Sequence, residues 1–487
     1  MLNMRVISEL DASLFFIIRP PPKTLDAGRS FVKLTAAGLS CIMRAEGPPV
    51  RAWFSDSDPV FISPERRTGV PFSGDLRVSE MTYEEAASRL KECGQLQLLR
   101  FYDTLSANEQ RSLLDQIERT DFSVLSALSD HASEKRGSFT PLGALTVPEI
   151  RVEEERFRAE GLKILREGKA AAVLLAGGMG TRLGSDRPKG TFDIGITKPL
   201  YIFECVFRNI LAIAEEAGCC FPLLIMTSEL NHEATVGFLT EHRFFGYDPE
   251  KVFFFMQETA PCAGRDGKLL LEEKWKLASS PNGNGGWFSS LVKAGLDRML
   301  EAEGIEYLSV FGVDNVLVRV NDPCYLGAFA LSGRDCAGKV VKKAAPDERV
   351  GVLCLEDGRP SIVEYYEMTD EMLTSRDESG ELSYNYGVIL NYCFRFSKLL
   401  RLAEQKLPLH IVEKKIPCLD EEGNAVSPSE PNGYKFETLV LDMIHLTDSC
   451  LPYEVEREKE FAPIKNRTGI DSVESARELL KQNGIEL

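Results

Sequence analysis

The sequence has no apolar run near the roughly 20 residues of a bilayer-spanning helix, so no membrane segment is expected. The apolar stretch at residues 14–18 is too short for the core of a secretory signal, and Arg19 ends it. Cysteine pairs with C-x-x-C spacing are also missing. The 12 cysteines are scattered and Cys219 merely adjoins Cys220, which argues against a structural zinc module and fits free thiols in a reducing compartment. There is no excess of positive charge: the formal net charge of -17 argues against a nucleic-acid or anionic-membrane partner. A small anionic ligand remains compatible, because local cations and helix N-termini hold phosphates inside acidic proteins. Low-complexity tracts and internal repeats are absent too. These absences leave a cytoplasmic globular protein whose ligand is small.

At 487 residues the chain exceeds one hydrophobic core, so two or three domains are expected. Residues 1–75 carry Pro20, Pro21, Pro22, Pro48 and Pro49 without a sustained helical period, and read as an extension without a definite element. Residues 76–168 read as mainly helical. Apolar residues recur at helical spacing over 83–93, 96–102 and 109–117, with Ser106 as a cap, and a further helix covers 148–168. Residues 169–408 alternate strands with helices. Buried strands are expected at 170–175, 223–226, 252–255 and 307–313, and helices at 200–217 and 287–302. Strands separated by helices of that length imply a parallel sheet with right-handed crossovers. A β-rich insertion at 340–341, 350–355 and 361–365 closes one side. Residues 409–487 read as an α+β unit with helices at 434–445 and 472–482.

The most informative segment is LLAGGMGTRLGSDRPKGTFD, residues 174–193. A buried strand runs into Gly177, Gly178 and Gly180, placing pliable backbone at a carboxyl strand end, where α/β folds bind ligands. Two familiar glycine patterns fail. The third glycine of G-x-G-x-x-G falls on Leu183, and Pro188 precedes Lys189 where a phosphate loop requires glycine. What remains is a glycine turn followed by Arg182 and Lys189. Those residue types suit a triphosphate clamp, the first as a planar fork and the second as a point charge. On glycine count alone, an ordinary turn with solvated cations is equally compatible.

The segment resembles the signature L-x-G-G-x-G-T-x-x-G-x-x-x-P-K of the UDPGP-type uridylyltransferases. Its A-G-G-x-G-T-R-L-G form is most similar to the eukaryotic UDP-N-acetylglucosamine pyrophosphorylases. Further stations agree in order: Met226-Thr227-Ser228, Gln257 after an apolar run, the PNGNGG loop at 281–286, Val313-Asp314-Asn315, Glu364-Tyr365, Asn385 to Asn391, His410, Lys414-Lys415-Ile416-Pro417, Asn432-Gly433-Tyr434-Lys435 and Phe461 to Asn466. Taken singly, Gln257 is a surface residue after a strand, Asp314 a turn former, and Lys415, Lys435 and Lys465 bland surface lysines. The resemblance covers residues 82–487. It departs at Val388, where the family has an asparagine that holds the sugar, and at Tyr392, where it has a histidine.

What the resemblance implies is a Rossmann-like, GT-A-like nucleotidyltransferase core with a mixed, mostly parallel sheet, flanked by a smaller helical N-terminal domain and an α+β C-terminal one. Gly177, Gly178 and Gln257 are implied to meet uracil, and Gly283 and Asn284 the base and sugar. Arg182, Lys189 and Lys465 fall to the phosphates. Gly351, Glu364, Tyr365 and Asn385 fall to the N-acetyl sugar, with Lys435 also in the substrate site. Asp314 is implied to hold Mg²⁺, with Mn²⁺ an alternative. The partners implied are UTP and an N-acetylhexosamine 1-phosphate, which would react in line at the α-phosphorus on a monomer or weak homodimer. Two other readings stay open: a UDP-glucose or broad UDP-sugar pyrophosphorylase, and a UDP-sugar-binding regulator without catalysis. A GT-A glycosyltransferase would share the sheet, but the Asp248 and Asp314 contexts do not supply its usual D-x-D.

Overall fold

The computed structural model describes residues 81–129, 136–403, 405 and 407–487, together with the strands Met4–Leu10, Ser13–Ile18 and Phe31–Thr35. The chain divides into two compact units, Met1–Pro64 and Glu65–Leu487. In the first unit the three strands pair antiparallel in order, where sequence reading anticipated no element. The rest of the 1–75 extension lies outside the described residues.

The second unit is organised by one sheet of ten strands. We number them β1 (Phe139–Pro141), β2 (Ala170–Leu175), β3 (Leu223–Thr227), β4 (Val252–Met256), β5 (Tyr307–Gly312), β6 (Cys336–Lys342), β7 (Val352–Glu356), β8 (Arg359–Val363), β9 (Tyr386–Arg395) and β10 (Cys450–Glu454). The order along the sheet is β8-β7-β9-β5-β2-β3-β4, with β6 pairing β9 and β10, and β1 pairing β7. Strands β5, β2, β3 and β4 run parallel, and β6 with β10 likewise. The β7, β8 and β9 side is antiparallel. The parallel strands β2, β3 and β5 are buried at every residue, as strands covered on both faces must be.

Helices cover both faces. Helix α1 (Tyr83–Glu92) and α2 (Ala107–Arg119) start on capping boxes at Thr82 and Ser106, each with glutamate three residues on. Residues 96–102, expected as helix, form only short 3₁₀ turns. The apolar faces of α1 and α2 close over Ala260, Leu269, Leu271, Leu277 and Phe436. Helix α3 (Val147–Arg166) crosses α8 (Pro323–Ser332) through two glycines. A methyl on Gly161 would strike the Pro323 carbonyl oxygen, and one on Gly327 the Phe157 carbonyl oxygen. Helix α4 (Ile202–Ala217) packs its apolar face on the sheet, α5 (His232–Glu241) follows β3, and α10 (Val473–Gln482) is capped by Ser472.

Two expected helices differ from the structure. The 287–302 helix is two, α6 (Trp287–Lys293) and α7 (Leu296–Ala302), because Gly295 adopts φ +73 and turns the chain between them. The 434–445 helix begins only at α9 (Val440–His445). Before it, Gly433–Glu437 is a strand between His410–Lys414 and Ala263–Gly264. Gly433 abuts the Ala263 carbonyl so closely that a side chain would not fit, and that contact fixes the strand pairing.

Candidate active site

The parallel strands β2, β3 and β5 end at a cleft of about 390 Å³. Its lining includes Gly177, Gly178, Lys189, Gln257, Gly283, Asn284, Asp314 and Lys435, eight of the residues singled out from the sequence. Met226, Ser280, Leu390 and Glu437, which were not assigned roles, line it too.

The glycine loop is folded back on itself. Gly180 N–H donates to the Arg187 carbonyl (2.9 Å) and Lys189 N–H to the Gly178 carbonyl (3.1 Å), so the lysine lies beneath the glycines. Buried Asn231 holds the turn from behind, donating to the carbonyls of Ala176 (2.9 Å) and Gly178 (3.3 Å) while accepting from Ser228 N–H (2.8 Å). The resemblance gave no hint of Asn231. An added methyl at Gly178 would meet no atom within 4 Å. Nothing in the protein's packing therefore requires glycine there; the space belongs to the cleft.

A second wall is the PNGNGG loop. Gly283 has φ +83 and ψ 171, a region essentially closed to side chains, and a methyl on it would overlap the Thr438 carbonyl. Asn282 and Thr438 are tied by a backbone bond of 2.7 Å. The Asn284 carbonyl oxygen of the side chain accepts Val440 N–H at the start of α9 (3.0 Å), leaving its amide N–H groups free to face the cleft. Gln257 donates its side-chain amide to the Gly283 carbonyl, joining the two walls. Its Oε1 lies 3.0 Å from where a methyl on Gly177 would sit, so a side chain there would crowd Gln257.

Asp314 follows β5 and approaches Lys189 Nζ at 3.8 Å. Lys465 reaches the same region from far along the chain, because Asn315 fastens its segment. Asn315 accepts from Ala462 N–H (2.9 Å) and donates to the Glu460 carbonyl (2.7 Å), while Ile464 N–H donates to the Asp314 carbonyl (2.9 Å). Lys465 is exposed and paired with Asp471 at 2.9 Å. Arg182 is exposed on a 3₁₀ turn (Thr181–Leu183) beside the cleft, anchored by buried Leu183. Burial pushes the Lys189 ammonium below the usual lysine range; Asp314 opposes this, while Lys465 and Arg182 reinforce it. The three cations therefore act on one another in one electrostatic neighbourhood.

Gly351, Glu364, Tyr365 and Asn385 do not line the cleft; they lie at the ends of β7, β8 and β9. A methyl on Gly351 would fall 3.2 Å from Glu364 Oε1, so these two are neighbours. Burial raises the Glu364 carboxyl above its ordinary range, Glu367 adds to this, and Lys465 lowers it. Lys465 thus influences Lys189 on one side and Glu364 on the other. Tyr365 is 41% exposed. Asn385 is buried and spends its carbonyl oxygen on Lys343 N–H (3.2 Å) and its amide on Glu381 (3.2 Å). Tyr392 is core, packed on Gly338. Asn391 is fully buried and donates to the Arg319 carbonyl (3.1 Å).

Among the described residues no group of three His, Cys, Asp or Glu side chains is placed to hold a metal. Asp314 offers one carboxylate facing the cleft, a donor set that fits a hard divalent ion carried mainly by phosphate oxygens and water. The eleven described cysteines are free. No described helix is long and apolar enough to cross a membrane.

An open α/β sheet with a glycine turn, three cations and a lone carboxylate at its parallel strand ends has the fold of the nucleotidyltransferases. The family model "UTP--glucose-1-phosphate uridylyltransferase" matches residues 144–486. The chain belongs to that family. It is 36% identical over 423 residues to human "UDP-N-acetylhexosamine pyrophosphorylase-like protein 1", covering 82% of this chain and 83% of that one. It is likewise 36% identical over 427 residues to "UDP-N-acetylglucosamine diphosphorylase 2" of Arabidopsis thaliana, with 82% and 83% covered. Among solved structures, the UDP-N-acetylglucosamine pyrophosphorylase of Trypanosoma brucei, in complex with an inhibitor, superposes with a TM-score of 0.70 at 28% identity, covering 82% of this chain and 84% of that one.

Proposed function

We propose that the protein forms UDP-N-acetylglucosamine and pyrophosphate from UTP and N-acetylglucosamine 1-phosphate. The observation that carries this reading is the convergence on one cleft of Gly178, Lys189, Gln257, Gly283, Asn284 and Asp314 from segments far apart in sequence. In this reading Gly178 leaves room for uracil and Gln257 reads its edge, since an amide both donates and accepts. The uridine sits against Gly283 and Asn284. Arg182 and Lys189 hold the triphosphate, and Lys465 neutralises charge between the α-phosphate and the incoming sugar phosphate. That phosphate attacks the α-phosphorus in line, its P–O bond forming as the bond to pyrophosphate breaks, with no covalent enzyme intermediate. Positioning and charge neutralisation supply the rate. Asp314 would hold Mg²⁺, or Mn²⁺, which supplies further neutralisation of phosphate charge when bound. Gly351, Glu364, Tyr365 and Asn385 form the sugar end, and Lys435 supports the nucleotide side. Val388, lacking the amide found in the family, leaves the choice among hexosamine sugars open to glucose as a second substrate. We place the activity in the cytoplasm, on a monomer or weak homodimer.

A coupled pyrophosphate-release assay with UTP and, in turn, N-acetylglucosamine 1-phosphate, N-acetylgalactosamine 1-phosphate and glucose 1-phosphate tests this. Preference for the first supports the reading. Preference for glucose 1-phosphate replaces the sugar, and no turnover of any of the three, with UDP-sugar binding intact, makes the protein a binding regulator. Full activity in chelator would remove Asp314 from its assigned role.

A further inference from the structure

Beside the sugar end, Arg136 makes five hydrogen bonds, to two carboxylates, a hydroxyl and a carbonyl. Its Nε and Nη2 hold the two oxygens of Glu356 at 2.9 Å each, and Nη1 holds Glu367 Oε1 at 2.8 Å. Nη2 also reaches Ser361 Oγ (3.1 Å) and the Ile362 carbonyl (3.2 Å), and the guanidinium lies over the Phe139 ring. Burial would raise the Glu356 carboxyl, yet Arg136, the Gly137 amide and the Ser361 hydroxyl together hold it down at about 2.

The reach of Arg136 matters more. Glu367 Oε2, the oxygen Arg136 leaves free, accepts Glu364 N–H at 2.9 Å, and Glu367 N–H donates to the Glu364 carbonyl at 2.8 Å. The 364–367 turn is thereby closed on itself and bolted to Arg136, which comes from a segment over 200 residues earlier. We infer that Arg136 is a positioning residue for the sugar end of the site, fixing the main chain that carries the Glu364 carboxylate through Glu367 and through the Ile362 carbonyl two residues before it. The inference rests on the uridylyltransferase reading for what Glu364 touches. Lysine would not replace Arg136, because a point charge cannot span Glu356 and Glu367 together.

The electrostatics make the role measurable. Glu364 is faced by Glu367 on its own turn, Arg136 before β1, Lys465 from the C-terminal segment, and His410 from the strand His410–Lys414. Tyr392 on β9 and Tyr366 also feel its charge. Glu367 raises its pKa and Arg136 lowers it. Removing Arg136 withdraws an attraction and bares Glu367, so the Glu364 pKa rises; removing the Glu367 charge makes it fall. Two variants that loosen the same turn therefore move it in opposite directions.

The test is steady-state kinetics of the full chain with Arg136→Gln, Arg136→Lys and Glu367→Gln. We expect the KM for the sugar 1-phosphate to rise about tenfold in the two glutamine variants, with the KM for UTP changed by less than about twofold. Arg136→Lys should recover only part of the loss. The acid limb of kcat/KM for the sugar 1-phosphate should move to higher pH in Arg136→Gln and to lower pH in Glu367→Gln. Equal effects on both substrates, an unchanged sugar KM, or limbs moving together would overturn the inference. If the wild type turns over no sugar phosphate, the uridylyltransferase reading fails. Calorimetry with UDP-N-acetylglucosamine and UDP then decides the inference: a loss in Arg136→Gln confined to the sugar nucleotide upholds it, and equal affinities in variant and wild type overturn it.

Discussion

Replacing Gly283 by alanine sets backbone conformation against ligand binding. With φ +83 and ψ 171 the residue occupies a region that costs a side-chain-bearing residue about 1–3 kcal/mol. The new methyl also overlaps the Thr438 carbonyl, which is main chain and cannot rotate away. The loop must give way, because Thr438 is held by its bond to Asn282 and by the strand Gly433–Glu437 before it. Gln257, bonded to the Gly283 carbonyl, moves with it. If the strain is relieved by shifting the loop, the same free energy appears in nucleotide binding, about tenfold for each 1.4 kcal/mol. We expect kcat/KM for UTP to fall about ten- to hundredfold in Gly283→Ala, with a lowered melting temperature. Gly178→Ala is the control. Its methyl meets nothing in the protein, so stability should stay unchanged while UTP binding is lost to a filled cleft. Wild-type kcat/KM for UTP in Gly283→Ala would refute the argument, as would a Gly178→Ala protein that binds UTP normally.

Arg182→Ala should lower kcat by about a hundred- to thousandfold with the fold and uridine binding retained; unchanged turnover at saturating UTP would remove Arg182 from the phosphates. The Lys189 pKa is depressed by burial and by Lys465 and Arg182, so activity that needs the ammonium is present below that pKa and is lost as pH rises through it, earlier than for an exposed lysine. Arg182→Ala should move this alkaline limb to higher pH and Asp314→Asn to lower pH, read from residual kcat/KM profiles; limbs that stay put would disprove the coupling. Gly327→Ala should destabilise by about 1–3 kcal/mol through the α3–α8 crossing, seen as a lower denaturant midpoint with both KM values intact; an unchanged midpoint would show that the crossing yields without strain.

Much of the scaffold was legible because its signals are local. Strands β2, β3 and β5 are short continuous apolar runs, and Ser106 announces its helix by side chain and spacing alone. The strand at Gly433–Glu437 was not legible. Its partners lie 23 residues before it and far upstream, and the contact of Gly433 with Ala263 belongs to the fold and not to the neighbouring letters. The same holds for the site. The glycines, Gln257, Asp314 and Glu364 could be singled out by resemblance, but Asn231 and Thr438 hold the glycine segments, and Arg136 the 364–367 turn, across the chain through ordinary residue types. Position in the cleft separated Lys189 and Lys435, which line it, from Arg182 and Lys465, which border it.

The fastening of Phe461 to Lys465 onto Asn315 sets a timetable for biosynthesis. While the ribosome is still making the chain, the strand ends, glycine turn and base-reading wall are already available to fold, yet Asn315 has only Leu317 N–H on its amide oxygen, its amide N–H still lacks the Glu460 carbonyl, and Lys465 does not exist. A nascent chain could cradle a nucleotide before it possessed the cation proposed to act between the two phosphates. Competence would thus wait for the Phe461 to Lys465 segment, which brings with it contacts that close the neighbouring core.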